Sequence, residues 1–172
     1  MRGLFSSIFI LFVTLTACNS GSVSPNSTIP SVSPSPTSVT LTIYFTNLAN
    51  FQVGTEPYEK AVTRIVPTPP SLQEAVLEQL FLGPTADEKA QGLDVFLSGA
   101  TGFTKLTIGD GIARVYLTGN CNSNGATYTI ANLIDANLKQ FAEIKWVKIY
   151  DQNGETETPA GQSGSIPFCL EP

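Results

Sequence analysis

At 172 residues, with 42% hydrophobic and 13% charged side chains, the chain has room for one domain with a real core and is too short for a second full one. Its formal net charge of −5 repels phosphate backbones and anionic lipid, so nucleic-acid binding is disfavoured. No histidine is present, which excludes Ser-His-Asp and Cys-His catalysis and weakens the case for any metal site.

Residues 1–17 read as a signal peptide. Arg2 is followed by an apolar stretch from Leu4 to Leu15 that is too short to span a bilayer. Leu15-Thr16-Ala17-Cys18 places a small residue before cysteine, as a lipoprotein signal peptidase requires, and makes Cys18 the candidate lipidation site. Acyl chains there give stable anchoring, because each buried CH₂ contributes roughly 0.8 kcal/mol. The expected location is the extracytoplasmic face of a cell membrane. Residues 18–38 add a Ser/Pro-rich segment without a single charge, which cannot bury enough apolar surface to fold and reads as a tether.

The folded domain is expected over 39–172. "VTLTIYF" alternates Leu41, Ile43 and Phe45 with Thr42 and Tyr44, the period of a half-buried strand. A loop over 46–58 follows, then a second strand, "KAVTRIVP". The pattern of Leu72, Ala75, Val76, Gln79 and Leu80 predicts a helix over 71–82, opened by a Ser71/Glu74 capping box. In "LGPTADEKAQGL", Gly83 and Pro84 stop that helix. Thr85 and Glu88 then form a second capping box for a short helical turn ending near Gly92.

"FTKLTIGDGIARVYL" reads as a hairpin turning at Asp110-Gly111, with Leu106, Ile108, Ala113, Val115 and Leu117 facing inward. A second helix over roughly 126–139 aligns Ile130, Ile134, Leu138 and Phe141. "IKWVKIYD" is the last strong strand, and the remaining residues are too rich in Gly and Pro for regular structure. Cys121 and Cys169, an even pair in an oxidising compartment, are expected to form a disulfide that pins this tail. The order ββαββαβ implies an α+β fold: a small β-sheet with two main helices on one face.

The series "AVTRIVPTPPSLQEAVLEQLFLGPTADEKAQGL", the Asp110-Gly111 strand pair and "LKQFAEIKWVKIYDQNG" resembles the GerMN domain of sporulation and spore-germination lipoproteins, over residues 40 to 154. Arg64, Pro67, Gly83-Pro84-Thr85, Phe141, Val147 and Ile149 carry the likeness. The resemblance implies a small α/β domain similar to the ring-building motif of membrane-spanning secretion channels. It further implies a role in assembly or adhesion at the cell envelope, with an envelope protein or further copies of the chain as partner. It implies no enzymatic activity, cofactor or metal, and carries over no catalytic residue.

The residues offer little chemistry to set against that. Asp87 and Glu88 are adjacent, and neighbouring side chains on a helix diverge by about 100°, so they cannot flank one glycosidic bond. The chain has neither S-x-x-K near a helix start nor a G-x-S-x-G elbow, leaving an envelope hydrolase as the third choice. "DQNGE" over 151–155 lacks the acid that a calcium loop needs at 149 and reads as a turn.

The candidate binding face consists of Tyr44, Lys105, Thr107, Arg114, Tyr116, Trp146, Lys148 and Tyr150, which strand alternation places outward. Two readings of it stand. The tail or the 46–58 loop covers it and the rings pack beneath, or it is a platform for a partner protein or a stacked glycan such as peptidoglycan.

Overall fold

The computed structural model describes residues 37–172. The signal peptide, Cys18 and the tether up to residue 36 lie outside the described residues. The first strand, β1 (Ser38–Asn47), buries Leu41, Ile43 and Phe45 as its alternation requires. Where a loop was expected, Asn47 instead caps a short helix, α1 (Leu48–Val53), its side chain accepting from the Ala49 (3.2 Å) and Asn50 (3.5 Å) N–H groups. A six-residue helix is too short to show a hydrophobic period, which is why the sequence pattern did not reveal it. β2 (Glu59–Pro67) returns antiparallel along β1.

Ser71 caps α2 (Leu72–Leu82) by accepting from the Glu74 N–H (3.2 Å), but the Glu74 carboxylate returns no bond, so the expected box is half formed. The buried stripe is Ala75, Val76, Leu77 and Leu80, with Leu72 40% exposed. Gly83 (φ 77°) ends the helix in a conformation that favours glycine. α3 (Ala86–Ala90) follows with the Thr85/Glu88 capping box complete, as the sequence predicts. β3 (Leu93–Asp94) adds two residues beside β1.

β4 (Ala100–Gly109) and β5 (Ile112–Gly119) form the expected hairpin, with Asp110 (φ 55°) and Gly111 (φ 77°) both left-handed as a primed turn demands. Ala113, Val115 and Leu117 are buried; Ile108, near the tip, projects past the core and is 40% exposed. α4 (Ile130–Lys139) starts later than expected because Thr129 and Asn132 form its capping box. β6 (Trp146–Tyr150) lies parallel to β5.

The α+β class holds, but the strands divide between two sheets, β2-β1-β3 and β4-β5-β6, instead of forming one. Helices α2 and α4 pack on each other and reach both sheets, α2 touching β1 and β4, α4 touching β1 and β6. One apolar cluster therefore runs through the whole domain.

Asn137 of α4 shows why the sheets stay apart. Its amide is fully buried, its Oδ1 accepting from the Tyr44 N–H (2.9 Å) and its Nδ2 donating to the Tyr44 carbonyl (2.8 Å). Gln140 Nε2 donates to the Thr42 carbonyl (3.1 Å). Side chains thus occupy the edge of β1 where another strand would pair. Among the described residues no helix is long and apolar enough to cross a membrane.

Candidate functional site

Pairing within the second sheet brings most of the candidate face together. Lys105, Tyr116 and Tyr150 stand abreast, Thr107, Arg114 and Lys148 form the next row, and Trp146 lies beside Ile112. Tyr44 does not belong to this face, since β1 is in the other sheet. Alternation states which side of its own sheet a residue occupies and carries no information about which sheet that is.

The tail covers part of the face. Ser165 bridges alongside Lys148, exchanging backbone bonds with Val147 and Ile149 on either side, and its hydroxyl accepts from the Thr158 N–H (2.8 Å). This fold of the tail sets two carbonyls over the Lys148 ammonium, Thr158 O (2.5 Å) and Ala160 O (2.9 Å). Lys148 is fully buried. Burial holds its pKa below the usual lysine value, and the positive charge of Arg114 pushes the same way. The Tyr150 ring is also buried, stacked on Tyr116 at 4.5 Å with 12° between planes.

What stays accessible is narrower than the sequence suggested. Trp146 is 38% exposed, Lys105 is exposed with its ammonium 5.6 Å above the Tyr116 ring, and Arg114 and Tyr116 are half-buried. In the structure Cys121 and Cys169 are bonded, with Cα atoms 5.5 Å apart. The Ser123 N–H donates to the Cys169 carbonyl (2.7 Å) and the Ser123 hydroxyl to Glu171 O, so the end of the tail is held beside the segment that leads into α4.

The acids of the 82–93 stretch form no active site. Asp87 points to solvent, whereas Glu88 meets Arg64 of β2 through Nη2 (2.5 Å) and Nε (3.4 Å). Arg64 also donates to the Gly83 carbonyl (2.9 Å), to the Gln79 carbonyl (3.2 Å) and to Gln79 Oε1 (3.1 Å), and lies over the Phe45 ring at 5.1 Å. One guanidinium thus satisfies the end of α2 and the start of α3, and ties both to the first sheet. Burial alone would raise the Glu88 pKa. The bond and charge of Arg64, together with the Thr85 N–H (2.7 Å), outweigh it and hold the carboxyl below its usual value.

Sequence reasoning missed a second polar cluster. The Tyr128 hydroxyl donates to Glu59 Oε1 (2.8 Å) and accepts from Thr46 Oγ1 (3.4 Å), while its ring packs against Phe51, Tyr58 and Phe96. Burial, reinforced by Glu59, raises its pKa well above the ordinary tyrosine value. It lines an open cleft with Glu56, Pro57, Glu59, Thr127 and Asn132. These residues are far apart in the chain, and no local spacing announces them. Among the described residues no group of three acids or cysteines is placed to hold a metal ion.

A family model named Germane and described as sporulation and spore germination matches residues 42–158. The chain belongs to the Germane family. The match takes in the Arg64 contacts, the Gly83-Pro84-Thr85 break and the hairpin, and gives that part of the resemblance its structural meaning. No curated protein matches the sequence. This Germane chain is similar to the solved tandem GerMN domains of the sporulation protein GerM from Bacillus subtilis, with 20% identity and a TM-score of 0.48. The similarity covers 78% of this chain and 48% of that one, so the chain spans about half the length of that structure.

Proposed function

We propose that this chain is a lipid-anchored envelope protein, tethered through Cys18 on the extracytoplasmic face of the membrane. Its GerMN-like domain acts without catalysis, as a protein-binding or assembly module of the sporulation and germination type. The observation that carries the reading is the use of the chain's ionic side chains. Glu88 and Arg64 hold α2 and α3 on the first sheet and Lys148 holds the tail, while Val53, Ile65, Leu82 and Phe168 face solvent. These three charges are committed to the scaffold, and the exposed apolar side chains are available for contact with a partner.

Affinity capture of the full-length chain from its own cells tests this. It should recover envelope proteins or further copies of the chain, and Cys18→Ser should release the protein from the membrane fraction. A membrane-bound chain that captures nothing would count against the module, and a Cys18→Ser chain that stays membrane-bound against the anchor.

Peptidoglycan or glycan binding is a second reading, favoured by the exposed Trp146 on the same sheet face as Lys105 and Tyr116, two rows away from them. Trp146→Ala should lose retention on purified peptidoglycan. Equal retention of both proteins removes this reading.

A further inference from the structure

The two edges of the first sheet differ in a way that points to a partner. The Asn47 N–H donates to the Tyr58 carbonyl (2.6 Å) and the Thr68 N–H to the Thr37 carbonyl (2.8 Å), one at each end of the β1–β2 ladder. In an antiparallel pair the residues that exchange bonds recur every second position. Lys60, Val62, Arg64 and Val66 therefore bond to β1, and the N–H and C=O groups of Glu59, Ala61, Thr63 and Ile65 point away from it. Among the described residues nothing bonds to these outward groups. On the far side of the sheet most of the corresponding groups of β1 from Thr42 to Thr46 are taken up, Thr46 pairing with β3, Tyr44 bonding through both its groups to Asn137 and the Thr42 carbonyl accepting from Gln140.

An unpaired edge of this length is normally blunted by bulges, inward charges or a covering element. β2 has a continuous register with β1 and no bulge. Its outward side chains Ala61, Thr63 and Ile65 are exposed and uncharged, Ile65 being 76% exposed. Of its charges, Arg64 on the inner face is neutralised by Glu88, and the exposed Lys60 stands near one end of the strand as Pro67, which has no N–H to leave unpaired, stands at the other.

We infer that the β2 edge is a self-association surface, on which a second copy of this chain adds its own β2 antiparallel about a two-fold axis at Thr63. The inference rests on the assembly reading above and names its surface. The sequence of β2 is complementary to itself in that register. Centring on Thr63 overlaps the whole of Glu59–Pro67, since Glu59 meets Pro67 of the other copy. Ile65 lies across from Ala61, so the large exposed side chain covers the small one, and Thr63 meets Thr63. Lys60 lies opposite Val66 and Arg64 opposite Val62, so no like charges face each other despite the net charge of the chain. Ala61, Thr63 and Ile65 each gain both a donor and an acceptor, and the two sheets become one continuous sheet.

Cysteine cross-linking of the full-length chain in its own membranes tests the inference. Facing Thr63 residues in a bonded pair have Cα atoms about 5.5 Å apart, a separation that a disulfide spans. Thr63→Cys should give an oxidised dimer, and Gln52→Cys, exposed on α1, should not. In the Thr63→Cys background, Ala61→Pro removes an outward N–H without touching any bond to β1, and Ile65→Lys removes the apolar cover. Each should lower the dimer yield by roughly tenfold with the thermal midpoint little changed.

A Thr63→Cys chain that stays monomeric overturns the inference. So does equal cross-linking at Gln52→Cys, or a dimer indifferent to both edge substitutions. If affinity capture recovers partners while Thr63→Cys stays monomeric, the edge assignment falls and the assembly reading stands. If neither yields a partner, both fall.

Discussion

The two sheets have three strands each and bury one face on the same helices, yet they end up covered in opposite ways. The first leaves much of its outer face open, Thr40, Ala61, Thr63 and Ile65 being exposed, and its polar links to the rest of the fold include those through Arg64, Asn137, Gln140 and Tyr128. The second has its outer face half closed by the tail, through the Lys148 ammonium and the Cys121–Cys169 bond. Equal strand patterns therefore do not make equal surfaces. What decides exposure is which distant segment supplies hydrogen-bond partners to the face or edge.

The largest expected effect concerns the covered sheet. The Cys121–Cys169 bond closes a loop with a separation of 48 residues, for which the chain-entropy model gives about 4 kcal/mol. The paired substitution Cys121→Ser with Cys169→Ser should lower stability to urea by about that amount. It should also speed proteolysis within the tail and make Lys148 accessible to amine reagents. A Lys148 that stays protected would show that the Thr158 and Ala160 carbonyls hold the cover without the disulfide.

Next comes the tie on the open sheet. Arg64→Ala leaves a largely buried Glu88 and the Gly83 and Gln79 carbonyls without their partner, at a cost of about 3 kcal/mol. Arg64→Lys should recover only part of this, because an ammonium cannot make the forked contact. The same pair sets a pH dependence. The Glu88 pKa is lowered by folding, so its contribution is fully present above the usual glutamate value of 4.5 and is lost as pH falls through the depressed value. Stability of the native chain should fall in that acid range more steeply than that of Glu88→Gln. Parallel acid profiles would show that the pair contributes nothing through charge.

Asn137→Ala tests the sealed edge. It leaves the Tyr44 N–H and C=O without partners in the interior, for about 2 kcal/mol, and amide exchange at Tyr44 should quicken before that of Leu41 or Ile43. Unchanged exchange would mean that β3 and Gln140 suffice to close that side.

Features written into neighbouring residues were legible in the sequence: the alternation of β1, the left-handed turn at Asp110-Gly111, and the Thr85/Glu88 box. Seven of the eight residues of the candidate face lie side by side in β4, β5 and β6, where alternation along each strand was enough to group them. Features that depend on a distant partner were not legible. The separation of Tyr44, the burial of Lys148 and the role of Asn137 all arise from contacts across long stretches of chain. Asn137 did leave a trace, an amide set among Leu133, Ile134 and Leu138 on the apolar side of α4. A polar group there needs a buried partner, and the helix alone cannot supply both bonds.

The smallest effect is also the most local. Thr85 accepts from the Glu88 N–H (3.3 Å) while the Glu88 carboxylate accepts from the Thr85 N–H (2.7 Å), so Glu88 serves both the capping box and Arg64. Thr85→Ala removes only the first of these bonds and should cost about 1 kcal/mol, leaving the Arg64 contact and any partner binding as they are. Combined with Arg64→Ala, the two costs would add if the cap and the ion pair were independent. Both act on Glu88, however, one at its N–H and the other at its carboxylate, so a double-mutant cycle should show coupling of about 0.5 kcal/mol or more. Strict additivity would mean that the cap and the ion pair hold the start of α3 independently of each other.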